Sequence, residues 1–232
     1  MLSIIIPTLN EEKYLPFLLK SIKSQTLKDY EIIVADANSQ DKTIEISKSF
    51  DCKIFKGGLP SKGRNQGARI AKENIFLFSD ADNIFLSQNF LKVLLKEFEK
   101  RNLDVASFSV YPKGNSFDRA AYNLYNFWAN LTQCFLPHAT TAVLVKRKIH
   151  EKIKGFDERI KMGEDHDYVR RAAKIGKFGF IRLGSVLTSA RRFEKDGRIN
   201  TYLKYVLWEF FSIIFGSLKS DVFDYKFDHY ND

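Results

Sequence analysis

Cysteine is nearly absent: the 232 residues include 2, Cys52 and Cys134, far apart and without metal-like spacing. Two isolated thiols cannot build a disulfide framework or a cysteine-rich zinc site. They are expected to be reduced, buried thiols of a cytosolic protein. Long apolar runs are missing too. No stretch reaches the roughly 18 uncharged apolar residues that a spanning helix needs, so no transmembrane helix is expected. The opening MLSIIIPTLNEE is too short, and too acidic on its far side, for a signal peptide. Zinc-finger spacing, RNA-binding motifs and basic zipper patterns are absent, so nucleic acid is not an expected partner. There is no repeat, low-complexity tract or obvious linker.

What is present is a globular composition, 44% hydrophobic and 28% charged. The length suits one domain with a full core and a small appendage. Lys and Arg number 37 against 28 Asp and Glu, a formal charge of +9. That excess fits an anionic partner such as a nucleotide, a phosphorylated lipid or a membrane surface, and equally a solvated basic surface.

The first half alternates strands and helices. LSIII (2–6), EIIVA (31–35), residues 53–55 and IFLFS (75–79) read as strands. Between them Asn10 is placed to cap a helix carrying Leu15, Leu18, Leu19 and Ile22, with Pro16 tolerable near its first turns. Ser39 or Asp41 opens a second helix, and GRNQGARIAKE forms a third. Unbroken apolar strands in a βαβα rhythm predict a mostly parallel α/β sheet covered on both faces. The second half is less regular, with helix signals at 88–99, 117–131 and 163–175 and strand signals at 104–110, 141–145 and 178–187. An aromatic-rich helical stretch follows at 198–218.

Acids cluster where strands should end. Asp36 follows EIIVA, and Asp80 and Asp82 follow IFLFS. Ligands of open α/β sheets sit beyond the carboxyl ends of the strands, so these acids are expected to face one crevice. The Asp80–Asp82 pair suits a hard divalent cation, Mg²⁺ or Mn²⁺. In GEDHDYVRR (163–171), Glu164 and Asp165 fall in the first turn of a helix. They read either as acids favouring the helix dipole or as a general base. Asp167 and Arg171 make an ordinary i,i+4 pair. In TSARRF (188–193), Arg191 and Arg192 read either as a basic surface turn or as a clamp on phosphate oxygens.

Taken in order, SIIIPTLNEEKYL, EIIVADANSQDKT, KGRNQGARIA, FLFSDADN and KIKGFDERIKMGEDHDYVRRAAKIGK resemble the inverting family 2 glycosyltransferases of GT-A fold. The resemblance covers roughly residues 1–198, with 199–232 left as a helical extension. It implies a nucleotide-diphosphate sugar donor, a divalent metal and transfer to an acceptor hydroxyl. By position, Pro7, Thr8 and Asn10 would line the nucleotide, with Asp36 near the base or ribose and Arg64 towards the donor. Asp80 and Asp82 would be the D-x-D, Asp82 the more direct metal ligand. Asp165 would be the general base with Glu164 beside it, and Arg191 and Arg192 would contact diphosphate or acceptor. The family often has two acids after its second strand. Here Asp36 is followed by Ala37, so UDP and GDP donors both stay open. No glutamine-spaced Arg-Trp motif of processive members occurs, which favours one transfer per encounter. A sugar nucleotidyltransferase would carry a G-x-G-x-R loop where this chain has PTLNEE. A non-catalytic nucleotide- or glycan-binding relative is the other alternative.

The acceptor side is less defined. Phe117, Tyr122, Tyr125, Phe127 and Trp128 form an aromatic stripe expected to be mostly core, with a share in an acceptor groove. His138 reads as a polar fixture. The stretch 202–219 is interrupted by Lys204 and Glu209 and is read three ways: lying on a membrane surface, docking on the catalytic domain, or pairing with a second copy. Together with the basic balance, this suggests a glycan or lipid-linked acceptor at the cytoplasmic face of the cell membrane.

Overall fold

The computed structural model describes residues 2–183 and 186–216. The end of the aromatic-rich stretch, from residue 217 onward, lies outside the described residues. The strands are β1 Leu2–Thr8, β2 Tyr30–Asp36, β3 Lys53–Lys56, β4 Ile75–Ser79, β5 Ile84–Phe85, β6 Val105–Phe108, β7 Tyr111–Lys113, β8 Ala142–Lys146, β9 Phe178–Ile181 and β10 Val186–Ser189. The helices are α1 Leu15–Lys23, α2 Thr43–Ser49, α3 Pro60–Ile70, α4 Phe90–Lys100, α5 Ser116–Thr132, α6 Arg147–Lys152, α7 Glu164–Ala173, α8 Arg191–Asp196 and α9 Arg198–Phe215.

Seven strands form the main sheet in the order β3-β2-β1-β4-β8-β6-β9. Only β8 runs against its neighbours, pairing antiparallel with β4 and β6. The sheet is therefore the mostly parallel α/β sheet that the apolar runs predict. Both faces are covered, which is why its strands lack polar alternation. Leu2, Ile4 and Ile6 of β1 pack with α1 and α4 residues such as Leu18 and Leu94. Ile5 points the other way, into a core with Ala68 of α3, Phe76 and Tyr168. Strand order reverses at β1, which lies between β2 and β4, and a crevice opens there beyond the carboxyl ends.

Several local expectations are corrected. Asn10 does not cap α1. It sits at φ 54°, and the residue before the helix is Tyr14, with Pro16 in the first turn as expected. The apolar run at 178–187 is two strands in two sheets. Arg182 and the Gly184–Ser185 pair interrupt its apolar pattern, and β10 joins a small sheet of order β5-β10-β7. Cys134 is exposed rather than buried, and Cys52 is half-buried. Helices α6 and α8 are too short to give a periodic signal.

Candidate active site

The crevice floor is built by two stapled loops. Thr8 and Asp36 end β1 and β2 in register, and the Thr8 hydroxyl donates to Asp36 Oδ1 at 2.9 Å. The Ser39 hydroxyl donates to the same oxygen at 2.6 Å, and the Ser39 amide to Oδ2 at 2.8 Å. Asn10 reaches across the gap: its amide donates to Ser39 Oγ and its Oδ1 accepts from the Gln40 amide, both at 2.8 Å. The left-handed backbone of Asn10, which asparagine tolerates, makes this double bridge. Asp36, 6% exposed, thus braces the two loops through both carboxylate oxygens.

Helix α3 approaches this floor unusually closely because two glycines face β1. A Cβ at Gly63 would lie 3.0 Å from Pro7 Cβ, and one at Gly67 would collide with the Ile5 side chain. The close approach carries Arg64, 3% exposed, into the acid cluster. Its guanidinium lies 2.6 Å from Asp80 Oδ1, 2.9 Å from Glu164 Oε1 and 3.2 Å from Asp165 Oδ1. The Phe156 ring backs it, 5.2 Å from centroid to Cζ. Burial alone would loosen its proton, but Asp165, Asp80 and Glu164 hold the guanidinium above even its usual pKa.

The turn that delivers the acids is itself pinned. Asn83, fully buried, donates from Nδ2 to Ser79 Oγ and to the Thr141 carbonyl, both at 3.0 Å, and its Oδ1 accepts from Thr141 Oγ1 at 2.8 Å. The Asp80 amide donates to the Thr141 carbonyl at 3.0 Å. Asp82 then faces Arg191, at the start of α8, with 3.3 Å between Oδ2 and Nε. Arg191 also forks onto Glu11, with both guanidinium contacts at 2.8 Å, and lies over the Tyr14 ring. Arg192 donates to the Tyr205 hydroxyl at 3.3 Å.

Five carboxylates, those of Glu11, Asp80, Asp82, Glu164 and Asp165, thus contact the guanidiniums of Arg64 and Arg191 among the described residues. Burial inside this cluster raises the proton affinities of Asp165, Asp82 and Glu11. Burial pushes Asp165 well above the usual carboxylate range; Arg64 opposes this, and Glu164 and Asp80 add to it. Burial also raises Asp82, against Arg191 and with Asp80. Glu11 is pushed from 4.5 to about 7, by burial first, with Arg191 opposing and Asp82 and Asp80 adding. The fold favours the neutral Glu11 carboxyl. Its contribution to stability is fully present below about pH 4.5 and is lost as pH rises through about 7. The span corresponds to about 3 kcal/mol. Urea unfolding across this window should show stability falling with pH, and Glu11→Gln should flatten that slope. An unchanged slope in the variant would assign the titration elsewhere.

The structure brings together the D-x-D, Arg64, Glu164–Asp165 and Arg191, and places Thr8, Asn10 and Asp36 on the adjoining floor. Glu164 and Asp165 occupy the first turn of α7, as either reading of that motif requires, but they also face Arg64. Glu11 is the member of the acid cluster that sequence reasoning missed. The signal was its place inside the PTLNEE loop already assigned to the nucleotide. The acid cluster fits a hard cation: the oxygens it offers are carboxylate oxygens, its five carboxylates outnumber the guanidiniums they contact, and Asp80 keeps a third of its side chain exposed.

The aromatic stripe is split. Tyr122 packs against the core and Tyr125 is half-buried, whereas Phe117, Phe127 and Trp128 are about half or more exposed, as are Leu124 and Leu131 of α5 and Phe135 beyond it. Helix α9 crosses nearby, with Tyr202 against Phe117 and Arg198 on Asp118. Its Trp208 side docks on the domain, packed so tightly on Gly163 that no side chain would fit there. Its opposite side exposes Leu203, Val206, Phe210 and Ile213. No helix among the described residues is long and apolar enough to cross a membrane.

Comparison with known proteins agrees with this geometry. The model of glycosyl transferase family 2 matches residues 3–156. An uncharacterized glycosyltransferase of Methanocaldococcus jannaschii is 29% identical over 229 residues, covering 92% of this chain and 78% of that protein. The fold superposes on Staphylococcus aureus TarS 1–349 in complex with UDP-GlcNAc, with TM-score 0.67 and 20% identity, covering 81% of this chain and 58% of that one. It superposes also on the Pyrobaculum calidifontis mannosyltransferase PcManGT in complex with GDP-Man and Mn²⁺, with TM-score 0.65 and 20% identity, covering 81% and 56%. This chain therefore spans well under two thirds of either of those structures. A mostly parallel sheet whose strand order reverses at β1, an acid pair at the end of β4 and a family match over most of the chain converge: the protein belongs to glycosyl transferase family 2 and has its GT-A fold.

Proposed function

We propose that the protein moves a sugar from a nucleotide-diphosphate donor, of UDP or GDP type, to an acceptor hydroxyl with inversion at the anomeric carbon. The observation that carries this reading is the Arg64 bridge, which gathers Asp80, Glu164 and Asp165 around one guanidinium. Donor-side and acceptor-side acids then share one crevice. Residues 1–198 are assigned to catalysis and 199–232 to an extension.

In this reading Thr8, Asn10 and Asp36 hold the loops against the nucleoside, and Pro7 lines its path. Arg191 and Arg192 face the diphosphate and offset negative charge as it leaves. Asp82, with Asp80 beside it, would hold Mg²⁺ or Mn²⁺, whose positive charge would offset the negative charge that builds on the diphosphate. Asp165 takes the proton of the acceptor hydroxyl, and burial raises its affinity for protons. Glu164 shares Arg64 with it. Relatives in complex with UDP-GlcNAc and with GDP-Man leave both nucleotides open. The exposed apolar sides of α5 and α9 and the charge of +9 support a lipid-linked or membrane-surface acceptor.

The test is a transfer assay with full-length protein, a panel of UDP- and GDP-sugars, and acceptors free or carried on anionic vesicles. Release of one nucleotide diphosphate is expected, lost in EDTA and restored by Mn²⁺ or Mg²⁺. Full activity in chelator would remove the metal from the scheme. Binding without release across the panel would favour a non-catalytic relative. Equal rates with free and vesicle-borne acceptors would count against the membrane surface.

A further inference from the structure

We propose that His138, His166 and Glu209 form a second metal site, for a transition-metal ion such as zinc, at the joint between α9 and the catalytic domain. The three come from separate elements: His138 from the segment between α5 and β8, His166 from α7, and Glu209 from α9. One ligand atom from each lies within 4.8 Å of the other two. His138 Nδ1 is 3.6 Å from Glu209 Oε1. A tetrahedral zinc with bonds of about 2.1 Å asks its ligand atoms to stand about 3.4 Å apart, so small side-chain rotations would close the site.

The independent sign is His138 itself. It is 1% exposed, and neither ring nitrogen has a hydrogen-bond partner among the described residues. A neutral imidazole carries one donor and one acceptor, and burying both unpaired is costly. An ion taking one lone pair removes part of that cost. Burial favours the neutral imidazole, the form a metal ligand needs, at both positions. Burial lowers His138 to about 4, with Arg170 adding, and burial drives His166 well below its ordinary value, with Arg170 and His138 adding. His166 also has an outer anchor. Its Nε2 lies 3.1 Å from the Tyr125 hydroxyl, which in turn donates to the Ala139 carbonyl.

Arg170 is the group that opposes the ion. Its Nη2 donates to Glu209 Oε1 at 2.8 Å, and its Nη1 to Ser212 Oγ at 3.0 Å. A carboxylate has two oxygens and about four acceptor directions, so Glu209 can keep Arg170 and still ligate. Two imidazoles with one carboxylate select a borderline ion such as zinc, whereas the all-oxygen Asp80–Asp82 site selects Mg²⁺ or Mn²⁺. The difference separates the two sites chemically. Occupied, the new site would tie α9 to α7 one residue beyond Asp165.

The test uses the full-length chain carrying Asp80→Asn and Asp82→Asn, stripped with chelator. Zn²⁺ is titrated against a chromophoric chelator, and Co²⁺ is followed by its visible absorption. One equivalent of Zn²⁺ is expected to bind, with Co²⁺ giving a low-coordinate nitrogen and oxygen spectrum. In the same background His138→Gln and Glu209→Gln should each weaken binding by more than about tenfold. Less than one equivalent bound in the double-Asn chain overturns the proposal. So does affinity within about tenfold in Glu209→Gln, which serves alone if His138→Gln does not fold.

Discussion

Asp165→Asn is expected to abolish transfer while donor binding survives. Asparagine has nearly the shape of aspartate and can still accept from Arg64 through its carbonyl oxygen, so the crevice should keep its form. What it cannot do is take a proton. Loss of a positioned general base typically costs about 10² to 10⁴ in rate. The parent enzyme should also gain activity as pH rises through the raised Asp165 titration, because the base works only when ionised. The variant's residual activity should lack that limb. Stability should not fall, since the substitution removes one negative charge from a buried cluster short of cations. The measurement pairs single-turnover transfer with a thermal-shift titration of donor and Mn²⁺. Near-parental turnover would reassign the base, with Glu164 the next residue to change. Loss of donor binding would instead give Asp165 a donor-side role.

Why some of this was legible in the sequence and some was not follows from distance along the chain. β1, β2 and β4 are readable because strands buried on both faces become unbroken apolar runs. Asp36, Asp80 and Asp82 are readable because they end those runs. The Arg64–Glu164 contact joins residues 100 apart, and it depends on α3 lying against β1 through Gly63 and Gly67. Nothing local in GRNQGARIA states which acid the arginine will meet. Glu11 was hidden for a related reason: its partner Arg191 is 180 residues away. Asn10 misled because a helix cap and a left-handed loop bridge draw on the same residue type. The stripe on α5 was legible only in part: Tyr122 and Tyr125 turn inward while Phe117, Phe127 and Trp128 stay exposed. Helical spacing of aromatics reports an apolar face, not how much of it this chain covers.

Arg64→Met is expected to be the most destabilising single change in the crevice, by about 3–5 kcal/mol at pH 8, the range for leaving buried charges without their partner. Arg64 is 3% exposed and is the shared partner of Asp80, Glu164 and Asp165. Methionine fills much of the same volume, so the loss reports charge rather than a cavity. The pH dependence distinguishes this account from a packing defect. Asp165 already holds its proton more tightly than usual, and losing Arg64 removes the main influence pulling the other way. At pH 5 the stranded carboxyls can take up protons and the mutual repulsion fades, so the deficit should shrink as pH falls. A cavity or clash would cost the same at both. Arg64→Lys should recover only part of the loss, because a point charge cannot fork across three carboxylates. Urea midpoints at pH 8 and pH 5 for parent, Met and Lys variants decide it. If the Met variant stays within about 1 kcal/mol of parent at pH 8, the carboxylates do not depend on the guanidinium for charge balance. Adding Mn²⁺ to the Met variant extends the argument. If a dication binds at Asp80 and Asp82, it should restore stability in proportion to occupancy, because it supplies near Asp80 the positive charge that Arg64 no longer does.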